Sequence, residues 1–364
     1  MHCKTKENIA FFIPSFFGGG AERVIVNLAN EISKRGVKQV FIFCNRKNGP
    51  YLKDVSDNVE IIEINAVITL FSFIKLRRLI LDKNITVICS TLRSCNISSA
   101  IVKLMLGKKV HWIAREANTF ESIDKVISKE YVIRVLCKLA YRYADKVIAN
   151  SDDTKNTIIK EIGIQPNKIF VIHNPVTNRC YDKHITDGNI LKIINVGRLV
   201  EQKNQSELVK VAIELINVYR FNNFKISIYG EGIEKDNICR LIDKHNVSEH
   251  VEVCDFTTDI TEKYRESDLF VLCSKWEGFG NVIVEALSCG VPVFSYNCPG
   301  GPKEIINDDV GRLFDMSDVS KLSRNIINLY YKELSFDVKK LHDRANDFSI
   351  NKISSRYLEV MFDE

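Results

Sequence analysis

The apolar positions in the first half of the chain form short runs that alternate with longer stretches of helical periodicity. Most runs are continuous rather than alternating, which is typical of parallel strands buried on both faces. Strands are predicted at 8–14, 40–44, 59–64, 87–89, 110–114, 146–149 and 169–172. Helices are predicted at 21–35, 71–83, 97–106, 125–143 and 153–161. This repeated strand-helix unit indicates a doubly wound α/β domain.

A second cycle of the same pattern follows a polar joint at 177–189. Strands are predicted at 191–196, 225–229, 251–253, 269–273, 293–296 and 311–314, and helices at 205–219, 234–244, 258–266, 281–287, 302–306 and 319–334. The chain is therefore expected to form two Rossmann-like, doubly wound parallel-sheet domains facing a cleft. We expect the domains at 1–175 and 176–345, with a C-terminal helix at 346–364 that packs back on the first domain. A length of 364 residues suits two domains.

Composition excludes several classes of protein. The chain is 45% hydrophobic and 27% charged, as in folded globular proteins, and its apolar runs are too short to span a membrane. Ile9–Phe17 follows Lys4 and Lys6 like a signal peptide, but Pro14 and the glycines after it favour a buried first strand. Eleven cysteines, without a Cys-x-x-Cys pair, indicate a reducing compartment and disfavour zinc.

The charge is unevenly distributed along the chain. Residues 1–175 hold 27 Lys and Arg against 16 Asp and Glu, whereas the remainder is acidic, and the whole chain carries +5. A basic first half predicts an anionic partner, namely a membrane surface, a phosphorylated acceptor or nucleic acid. Phe71–Ile80 and Tyr131–Lys146 mix bulky apolar and basic residues at helical spacing. Such helices lie on anionic membranes or are core-facing helices with a solvated basic face, and both interpretations stay open.

The segment WEGFGNVIVEALSCGVPV at 276–293 is the most informative part of the chain. Glu277 and Glu285 are separated by seven residues, and Gly278 and Gly280 precede a short predicted helix. Free N–H groups and the positive dipole end of a helix N-terminus suit a phosphate. Carboxylates accept hydrogen bonds from the hydroxyls of a sugar or ribose. We therefore predict a phosphate site flanked by two hydroxyl-binding acids, with Glu285 among apolar neighbours.

Other glycine-containing loops follow predicted strands, a favoured ligand position in α/β sheets. Gly19 and Gly20 lie in the first such loop. In the second domain, VGRLVEQKN at 196–204 places Arg198 and Lys203 after Gly197, as a diphosphate clamp would require. Gly230, in Gly-Glu-Gly, lies at the same predicted edge. Neither Gly-x-Gly-x-x-Gly nor a P-loop motif occurs, and no Asp-x-Asp pair presents itself for a metal-diphosphate site.

Candidates on the acceptor side come from the first domain. Arg115, Glu116 and Asn118 follow a predicted strand and could contact an acceptor or donor sugar, although a surface ion pair explains them nearly as well. His173, at the domain joint, could transfer protons or act as a structural hinge residue.

The chain resembles the retaining glycosyltransferases of family 4, which have the GT-B fold. The resemblance rests on GGGAERVIVNLA at 18–29, VGRLVEQKN at 196–204, GEG at 230–232, and SKWEGFGNVIVEALSCGVPVFSYNCPGGPKEII at 274–306 with its Glu-x7-Glu spacing. It implies that Arg198 and Lys203 bind the diphosphate and stabilise the leaving group, while Glu277 contacts sugar hydroxyls. It also implies further donor contacts through Gly19, Gly20, Gly278, Phe279, Gly280, Asn281, Val282 and, at the ribose, Glu285. Many members carry a histidine where this chain has Arg115 and Glu116.

The resemblance also implies an activity. The expected reaction moves a hexose or N-acetylhexosamine from a nucleotide-diphosphate sugar, UDP-linked, to a glycan or lipid-linked saccharide in bacterial surface-polysaccharide (lipopolysaccharide or capsule) biosynthesis. Neither a metal nor another cofactor is expected. We expect a cytoplasmic enzyme at the inner face of the plasma membrane, with no nucleic-acid partner. Alternatives are a sugar-nucleotide epimerase or phosphorylase of the same fold, or a non-catalytic binder of anionic lipid or nucleic acid.

Overall fold

The computed structural model describes residues 7–17, 19–117, 129–177, 189–255, 257 and 260–362. The chain divides into two compact units, the first comprising Met1–Thr177 with Phe348–Glu364 and the second Asn178–Asp347. The boundaries predicted from the sequence are at residues 175 and 345. Each unit is described below by itself.

The first unit alternates strands and helices along the chain. Its strands are β1 (Asn8–Ile13), β2 (Gln39–Cys44), β3 (Val59–Glu63), β4 (Ile85–Thr91), β5 (His111–Glu116), β6 (Lys146–Ala149) and β7 (Ile169–Val171). Its helices are α1 (Gly20–Ile32), α2 (Phe73–Asp82), α3 (Arg93–Leu106), α4 (Lys129–Ala140), α5 (Asp152–Thr157) and, at the end of the chain, α13 (Ile350–Phe362).

The strands of the first unit form one parallel sheet in the order β3-β2-β1-β4-β5-β6-β7. Strand β1 shows why its apolar run is continuous. Ala10 and Phe12 pack in the core on one face, while Phe11 and Ile13 pack in the core on the other. Because helices cover both faces, neither side of the strand is left to water.

Helix α13 returns to the first unit and packs against α1. Ile353 and Tyr357 belong to the same core as Val24 and Leu28 of α1. The Arg35 guanidinium adds a hydrogen bond of 2.6 Å to the Ser355 hydroxyl. The C-terminal helix therefore covers one face of the seven-stranded sheet.

One predicted helix of the first unit changes geometry along its length. The helix predicted at 153–161 is α-helical only to Thr157 and continues as a π-helical turn over Ile158–Ile162. Gly163, at φ +77°, then ends it in the left-handed conformation that glycine adopts without strain.

The second unit repeats the architecture with fewer strands. Its strands are β8 (Leu191–Val196), β9 (Phe224–Tyr229), β10 (Val251–Cys254), β11 (Leu269–Leu272), β12 (Val293–Tyr296) and β13 (Gly311–Phe314). Its helices are α6 (Ser206–Asn217), α7 (Lys235–Lys244), α8 (Ile260–Arg265), α9 (Asn281–Ser288), α10 (Pro302–Ile305), α11 (Val319–Tyr330) and α12 (Val338–Asn346), of which α12 was not predicted.

The sheet of the second unit is also parallel, in the order β10-β9-β8-β11-β12-β13. The strand order runs one way from β8 to β10 and the other way from β11 to β13. Such a reversal leaves a crevice at the carboxyl ends of the two central strands, where α/β proteins bind ligands. The predicted fold class, two doubly wound parallel-sheet domains, is confirmed by the two sheets.

Among the residues that the structure describes, no helix combines the length and apolar character needed to cross a bilayer. The nine cysteines in this part of the chain are free thiols, and most are buried as small apolar side chains.

Candidate functional site

The candidate site lies at the strand-order reversal of the second unit, between the loops that follow β8 and β11. Neighbouring strands β8 and β11 both end at this edge of the sheet. The loop after β8 carries Arg198 and Lys203, and the loop after β11 carries Glu277. The topology thus brings together residues more than 70 positions apart in the sequence.

Lys203 and Glu277 form a buried ion pair at this edge. The Lys203 Nζ lies 2.6 Å from Oε1 of Glu277, and their side chains are only 15% and 7% exposed. The Ser274 hydroxyl donates a second hydrogen bond, also 2.6 Å, to the same oxygen. Among the described residues none donates to Oε2 of Glu277, so this buried carboxylate keeps an oxygen for a ligand hydroxyl.

The two loops are joined by further hydrogen bonds. The Gln202 amide donates to the carbonyl of Trp276 at 2.9 Å, and the backbone N–H of Lys275 donates to the carbonyl of Gln202 at 2.8 Å. At the surface, Lys275 Nζ lies 2.8 Å from Glu201, and its hydrogen bond and charge lower the pKa of that carboxyl. These contacts hold the Lys203–Glu277 pair in a defined geometry.

Arg198 is exposed at the carboxyl end of β8. Its backbone is held by the Gln205 amide, which donates to the Arg198 carbonyl at 3.0 Å. Within the described part of the chain, no side chain accepts a hydrogen bond from its guanidinium. Gly197, immediately before it, lies beside the aliphatic stem of Lys203, since a Cβ there would be 3.7 Å from that stem. The two cations therefore come from the same short loop, as the sequence predicts.

The Gly-Glu-Gly loop after β9 packs against the Arg198 loop. A Cβ at Gly230 would lie 1.9 Å from the Gly197 carbonyl, and one at Gly232 would lie 2.1 Å from the Leu199 carbonyl. The Leu199 N–H also donates to the Glu231 carbonyl at 2.7 Å. Glycine is required here because the two backbones touch, so the structure gives Gly230 a supporting role in shaping the loop.

The N-terminus of α9 lies at the candidate site, directly after the loop that carries Glu277. Gly280 caps the helix at φ +94° and has no side chain to occupy its first N–H groups, which belong to Asn281 and Val282. Phe279 is buried, and Asn281 and Val282 are half-buried. The N–H groups and the dipole at a helix N-terminus favour an anion. A helix N-terminus therefore lies where the sequence predicts the phosphate site.

The two glutamates differ in environment. Glu277 is 5% exposed and held by Lys203 and Ser274, whereas Glu285 is only half-buried on α9, between the fully buried Val284 and Ala286. The sequence pattern led us to expect the apolar surroundings at Glu285. The structure instead places the deeply buried acid at Glu277, because it is covered by the loops that follow β8 and β12.

Ser274 and Gly300 belong to the site but were not singled out from the sequence. A Cβ at Gly300, whose φ is +114°, would lie 2.1 Å from the Glu277 carbonyl, and the Glu277 N–H donates to the Pro299 carbonyl at 2.9 Å. A Cβ at Gly301 would likewise collide with the Phe279 carbonyl. The signal available in the sequence was the Pro-Gly-Gly after a strand and the hydroxyl next to a strand end.

A thiol also lies at this edge but is not a nucleophile. Cys273 directly follows β11 and is fully buried. Burial raises the pKa of the Cys273 thiol well above its ordinary value, so it stays protonated at neutral pH. The chemistry available at the site is therefore that of cations, N–H groups and carboxylates.

In the first unit, the predicted glycine loop leads into α1. Gly19 is the N-cap of the helix and Gly20 its first residue, and Gly18 lies outside the described residues. A Cβ at Gly19 would lie 2.1 Å from the Glu22 carboxylate, which is mostly buried in the first helical turn. A carboxylate at this N-terminus interacts favourably with the helix dipole and disfavours a second anion there. This loop is better suited to hydroxyls than to a phosphate.

Arg115 lies in the interior of the first unit. Its side chain is completely buried and donates to the Tyr357 hydroxyl at 3.0 Å, the Thr91 hydroxyl at 2.9 Å and the Asn174 amide oxygen at 2.5 Å. These bonds join β5 to β4, to α13 and to the segment after β7. Because the guanidinium is enclosed and each of its three nitrogens donates to a buried partner, its environment favours a structural role over acceptor contact.

Glu116 ends β5 in a buried polar network. Its Oε2 accepts a hydrogen bond of 2.8 Å from the Tyr141 hydroxyl and lies 3.9 Å from Nε of Arg93. Asn96 donates to the same hydroxyl at 2.7 Å and accepts from Ser90. Burial, and secondarily the Glu116 charge, raises the pKa of Tyr141 well above its ordinary value. Glu116 is thus placed at the carboxyl edge of the sheet, but only 3% exposed.

Of the other two acceptor-side candidates, His173 and Asn118, only His173 lies within the described residues. His173 is half-buried, and its ring packs edge-on against Phe348 at 5.3 Å between centroids. Asn118 lies outside the described residues. Within the described part of the chain, no group of three or more His, Cys, Asp or Glu side chains is placed to hold a metal ion.

Known families match both units. Residues 18–178 match the model of the family described as Glycosyltransferase Family 4, and residues 182–348 match that of the family described as Glycosyl transferases group 1. Together they cover every strand of both sheets except β1, and all the candidate site residues described above. The chain belongs to the family 4 glycosyltransferases.

Individual relatives agree with this membership. An uncharacterized glycosyltransferase of Haemophilus influenzae is 27% identical over 370 residues, covering 98% of this chain and all of that protein. The amylovoran biosynthesis glycosyltransferase AmsD of Erwinia amylovora is 25% identical, covering 80% of this chain and 81% of that protein. An uncharacterized glycosyltransferase of Methanocaldococcus jannaschii is 30% identical, but the match spans only half of that protein.

Solved glycosyltransferase structures share the fold. Anabaena HepE in complex with UDP superposes with a TM-score of 0.82 at 19% identity, covering 98% of this chain and all of that one. The lipopolysaccharide outer core galactosyltransferase WaaB, in its apo form, gives a TM-score of 0.76 at 18% identity and covers 98% of this chain and 99% of that one. This family 4 glycosyltransferase therefore has two Rossmann-like units of the GT-B type.

Proposed function

We propose that this glycosyltransferase transfers a hexose or N-acetylhexosamine, with retention of configuration, from a UDP-linked sugar to a saccharide acceptor in bacterial surface-polysaccharide biosynthesis. The observation that carries the proposal is the buried Lys203–Glu277 pair beside the exposed Arg198, at the strand-order reversal of the second unit. This combination supplies cations for a diphosphate and a carboxylate for sugar hydroxyls.

The leaving group is a nucleoside diphosphate, whose negative charge grows as the sugar departs. Arg198 offers a guanidinium fork and Lys203 a compact ammonium with donors beyond the one used by Glu277. The N-terminus of α9 adds a third source of positive potential. Preorganised charge of this kind lowers the barrier because it requires little reorganisation during the reaction.

Glu277 and Glu285 would hold neutral parts of the donor. Oε1 of Glu277 is fixed by Lys203 and Ser274, so Oε2 faces a sugar hydroxyl in this scheme. Glu285 is half-buried and lies about one turn after the start of α9. We assign it to the ribose hydroxyls. The backbone of Gly278 and Phe279 would line the sugar. Gly300 and Gly301 pack against this loop, at the backbones of Glu277 and Phe279.

Retention needs no protein nucleophile in this scheme. The bond between the anomeric carbon and the β-phosphate oxygen breaks, and the acceptor oxygen forms its bond on the same face. The acceptor proton passes to the departing phosphate oxygen, so the products are a glycoside and UDP. The protein's contribution is orientation and charge stabilisation. We propose that neither a metal nor another cofactor takes part, since Arg198 and Lys203 supply the counter-charge.

Donor and acceptor class are inferred from similar proteins. HepE, similar in fold, has been crystallised with UDP and with UDP-glucose, which supports a UDP-linked donor. AmsD is named for amylovoran biosynthesis and WaaB for the lipopolysaccharide outer core. We infer a glycan or lipid-linked saccharide acceptor, and a cytoplasmic enzyme that works at the inner face of the plasma membrane.

A donor panel followed by product analysis tests the proposal. UDP-, GDP- and ADP-sugars are compared by thermal shift, and the products formed with saccharide acceptors are assigned by NMR of the anomeric proton. We expect stabilisation by a UDP-sugar and a product with the donor's anomeric configuration. An inverted product, or epimerised donor formed without acceptor, would contradict the assignment.

A matched pair of lysine variants separates the site from general charge effects. Lys203→Met removes the buried ammonium, while Lys275→Met removes a less buried one from the neighbouring loop, where it pairs with Glu201. We expect transfer to be lost in the first variant and retained in the second. Equal loss in both would mean that the loops, rather than the Lys203 charge, are what matters.

A further inference from the structure

Three helices of the first unit form a layer on one face of its sheet. Leu76 of α2, Ile97 of α3 and Cys137 of α4 all belong to the same buried core beneath them. Helix α3 packs against α2 on one side and α4 on the other. The outer faces of the three helices therefore lie next to one another.

The outer face of α2 carries apolar side chains in a regular stripe. Ile74 is 67% exposed and Leu81 40%, and Arg78 lies between them along the stripe. At 100° per residue these three positions fall within about 60° of one another. Phe71, in the 3₁₀ turn just before the helix, is 62% exposed. The inward-facing residues Leu76 and Ile80 alternate with them at helical spacing. Helix α2 thus has two apolar sides, and only one is covered by this chain's described residues.

The neighbouring helices continue this surface. Leu104 and Met105, at the end of α3, are 58% and 51% exposed. Val135 and Leu139 of α4 are 40% and 51% exposed, one helical turn apart, and Tyr143, in the 3₁₀ turn that follows the helix, is 49% exposed. We call the exposed residues of 67–81, 104–109 and 135–143 the α2–α4 surface.

Apolar exposure is concentrated on this surface. Of the 17 large hydrophobic side chains exposed in the described part of the chain, ten belong to it. Singly exposed apolar residues are ordinary, but clusters of this kind mark interaction sites. Cations are interspersed among them, namely Lys75, Arg77, Arg78, Lys108, Lys109, Lys138 and Arg142, all exposed. The segments 67–81, 104–109 and 135–143 contain no Asp or Glu, and Asp82, next to the first of them, pairs with Arg78.

We propose that the α2–α4 surface docks on an anionic lipid bilayer. Aliphatic side chains and cations alternate along it, so an occupant must offer both an apolar interior and negative charge. A bilayer supplies acyl chains beneath phosphate headgroups, which matches this arrangement. Nucleic acid matches the cations but gives aliphatic residues nothing to bury against, and single strands are bound by aromatic stacking instead.

The inference deepens the proposed function, since a lipid-linked acceptor would be met at the same membrane. It depends on the surface alone, however, and is measured without any sugar donor. Each Lys or Arg near an anionic leaflet strengthens binding by about fivefold, so removing two should weaken it by about 25-fold. Replacing one inserting aliphatic side chain should weaken it by about tenfold.

Flotation with lipid vesicles tests the docking. The full-length protein is mixed with vesicles of phosphatidylcholine, with or without phosphatidylglycerol, at low and high salt. The variants are Arg77→Gln/Arg78→Gln and Ile74→Ser, all at exposed positions. Their matched controls in the second unit are Lys321→Gln/Lys339→Gln and Val218→Ser, also exposed. We expect binding only to phosphatidylglycerol vesicles, weakened by salt, by both surface variants and by neither control.

Separate readouts distinguish this inference from the proposed function. The rate of sugar transfer to a water-soluble acceptor should be unchanged in the surface variants. If the wild-type protein bound no UDP-sugar, the proposed function would be contradicted but the membrane inference would not. Absence of flotation at low salt, or equal loss in the control variants, would overturn the inference. So would a change of oligomeric state in the surface variants by sedimentation velocity, because the surface would then join two copies of the chain.

Discussion

Replacement of Lys203 by Met is the sharpest test of the site. The change keeps an unbranched side chain of similar length but removes the ammonium that lies 2.6 Å from Oε1 of Glu277. Two effects follow, one on stability and one on turnover. They have different physical origins and can be measured separately.

The effect on stability comes from the carboxylate that remains. At 2.6 Å the attraction between two unit charges is about 6 kcal/mol at an effective dielectric constant of about 20. Desolvation offsets much of this attraction, and removing one partner of a buried pair costs about 3–5 kcal/mol. Glu277 would keep only the Ser274 hydrogen bond. For a unit of this size, we expect the melting temperature of the second unit to fall by about 10 °C.

The effect on turnover comes from the lost positive charge at the departing diphosphate. Removal of one preorganised donor at a developing anion typically lowers kcat by about 10²–10³-fold. A double variant, Lys203→Met with Glu277→Gln, removes both charges and leaves a neutral pair. It should regain most of the lost stability, since neutral replacement of a buried pair is often tolerated. Its turnover should stay low, because the cation is still missing.

The assays are differential scanning calorimetry and continuous detection of released UDP at saturating donor. Normal kcat in Lys203→Met, or recovery of turnover together with stability in the double variant, would refute the role assigned to Lys203. In that case the pair would only tie the loops after β8 and β11 together.

Three further predictions concern the scaffold. Arg115→Ala should destabilise the first unit by more than about 3 kcal/mol in urea unfolding, because the Tyr357, Thr91 and Asn174 side chains lose a buried, charged hydrogen-bond donor. A raised KM for the saccharide acceptor at unchanged stability would instead indicate that Arg115 contacts this substrate. Gly300→Ala should lower both stability and kcat, since its Cβ would strike the Glu277 carbonyl. The control Gly163→Ala, also at positive φ but with open space around it, should cost only about 1 kcal/mol and leave kcat unchanged. Burial raises the pKa of three thiols to about 12, so above about pH 9 these thiols ionise in the unfolded chain but not in the folded one. The free energy of unfolding should therefore fall by up to about 1.4 kcal/mol per pH unit for each of them. Urea unfolding between about pH 9 and 12 measures this decline, and Cys89→Ala should make it less steep. These thiols are Cys44, Cys89 and Cys137.

The sequence determined most of the fold. Strand β1 was predictable because both faces of a parallel strand need apolar residues, so Asn8–Ile13 reads as one continuous run. The glycine loops at strand ends were also predictable, because Gly197 and Gly230 come directly after apolar runs that predict strands. Helix α12 was not predicted. Its surface is mostly polar, and only Leu341 and Ala345 are buried, which leaves a weak apolar pattern.

The site was predictable as a set of loops but not as a set of contacts. Arg198, Lys203 and Glu277 could be named because cations and an acid follow strands, but their pairing could not. Lys203 meets Glu277 across 74 residues because β8 and β11 are neighbours in the sheet. The contribution of Ser274 to that pair likewise depends on where the two loops meet.

Arg115 shows the limit of local pattern most clearly. In the sequence it stands beside Glu116 at a strand end, as a binding residue would, yet its guanidinium is enclosed by Tyr357, 242 residues away. Local sequence determines periodicity, because each strand or helix must present apolar residues to a core at its own spacing. Strand order and the side chains that the returning C-terminal helix meets are decided only when the whole unit packs, and these determine which polar side chains are buried together.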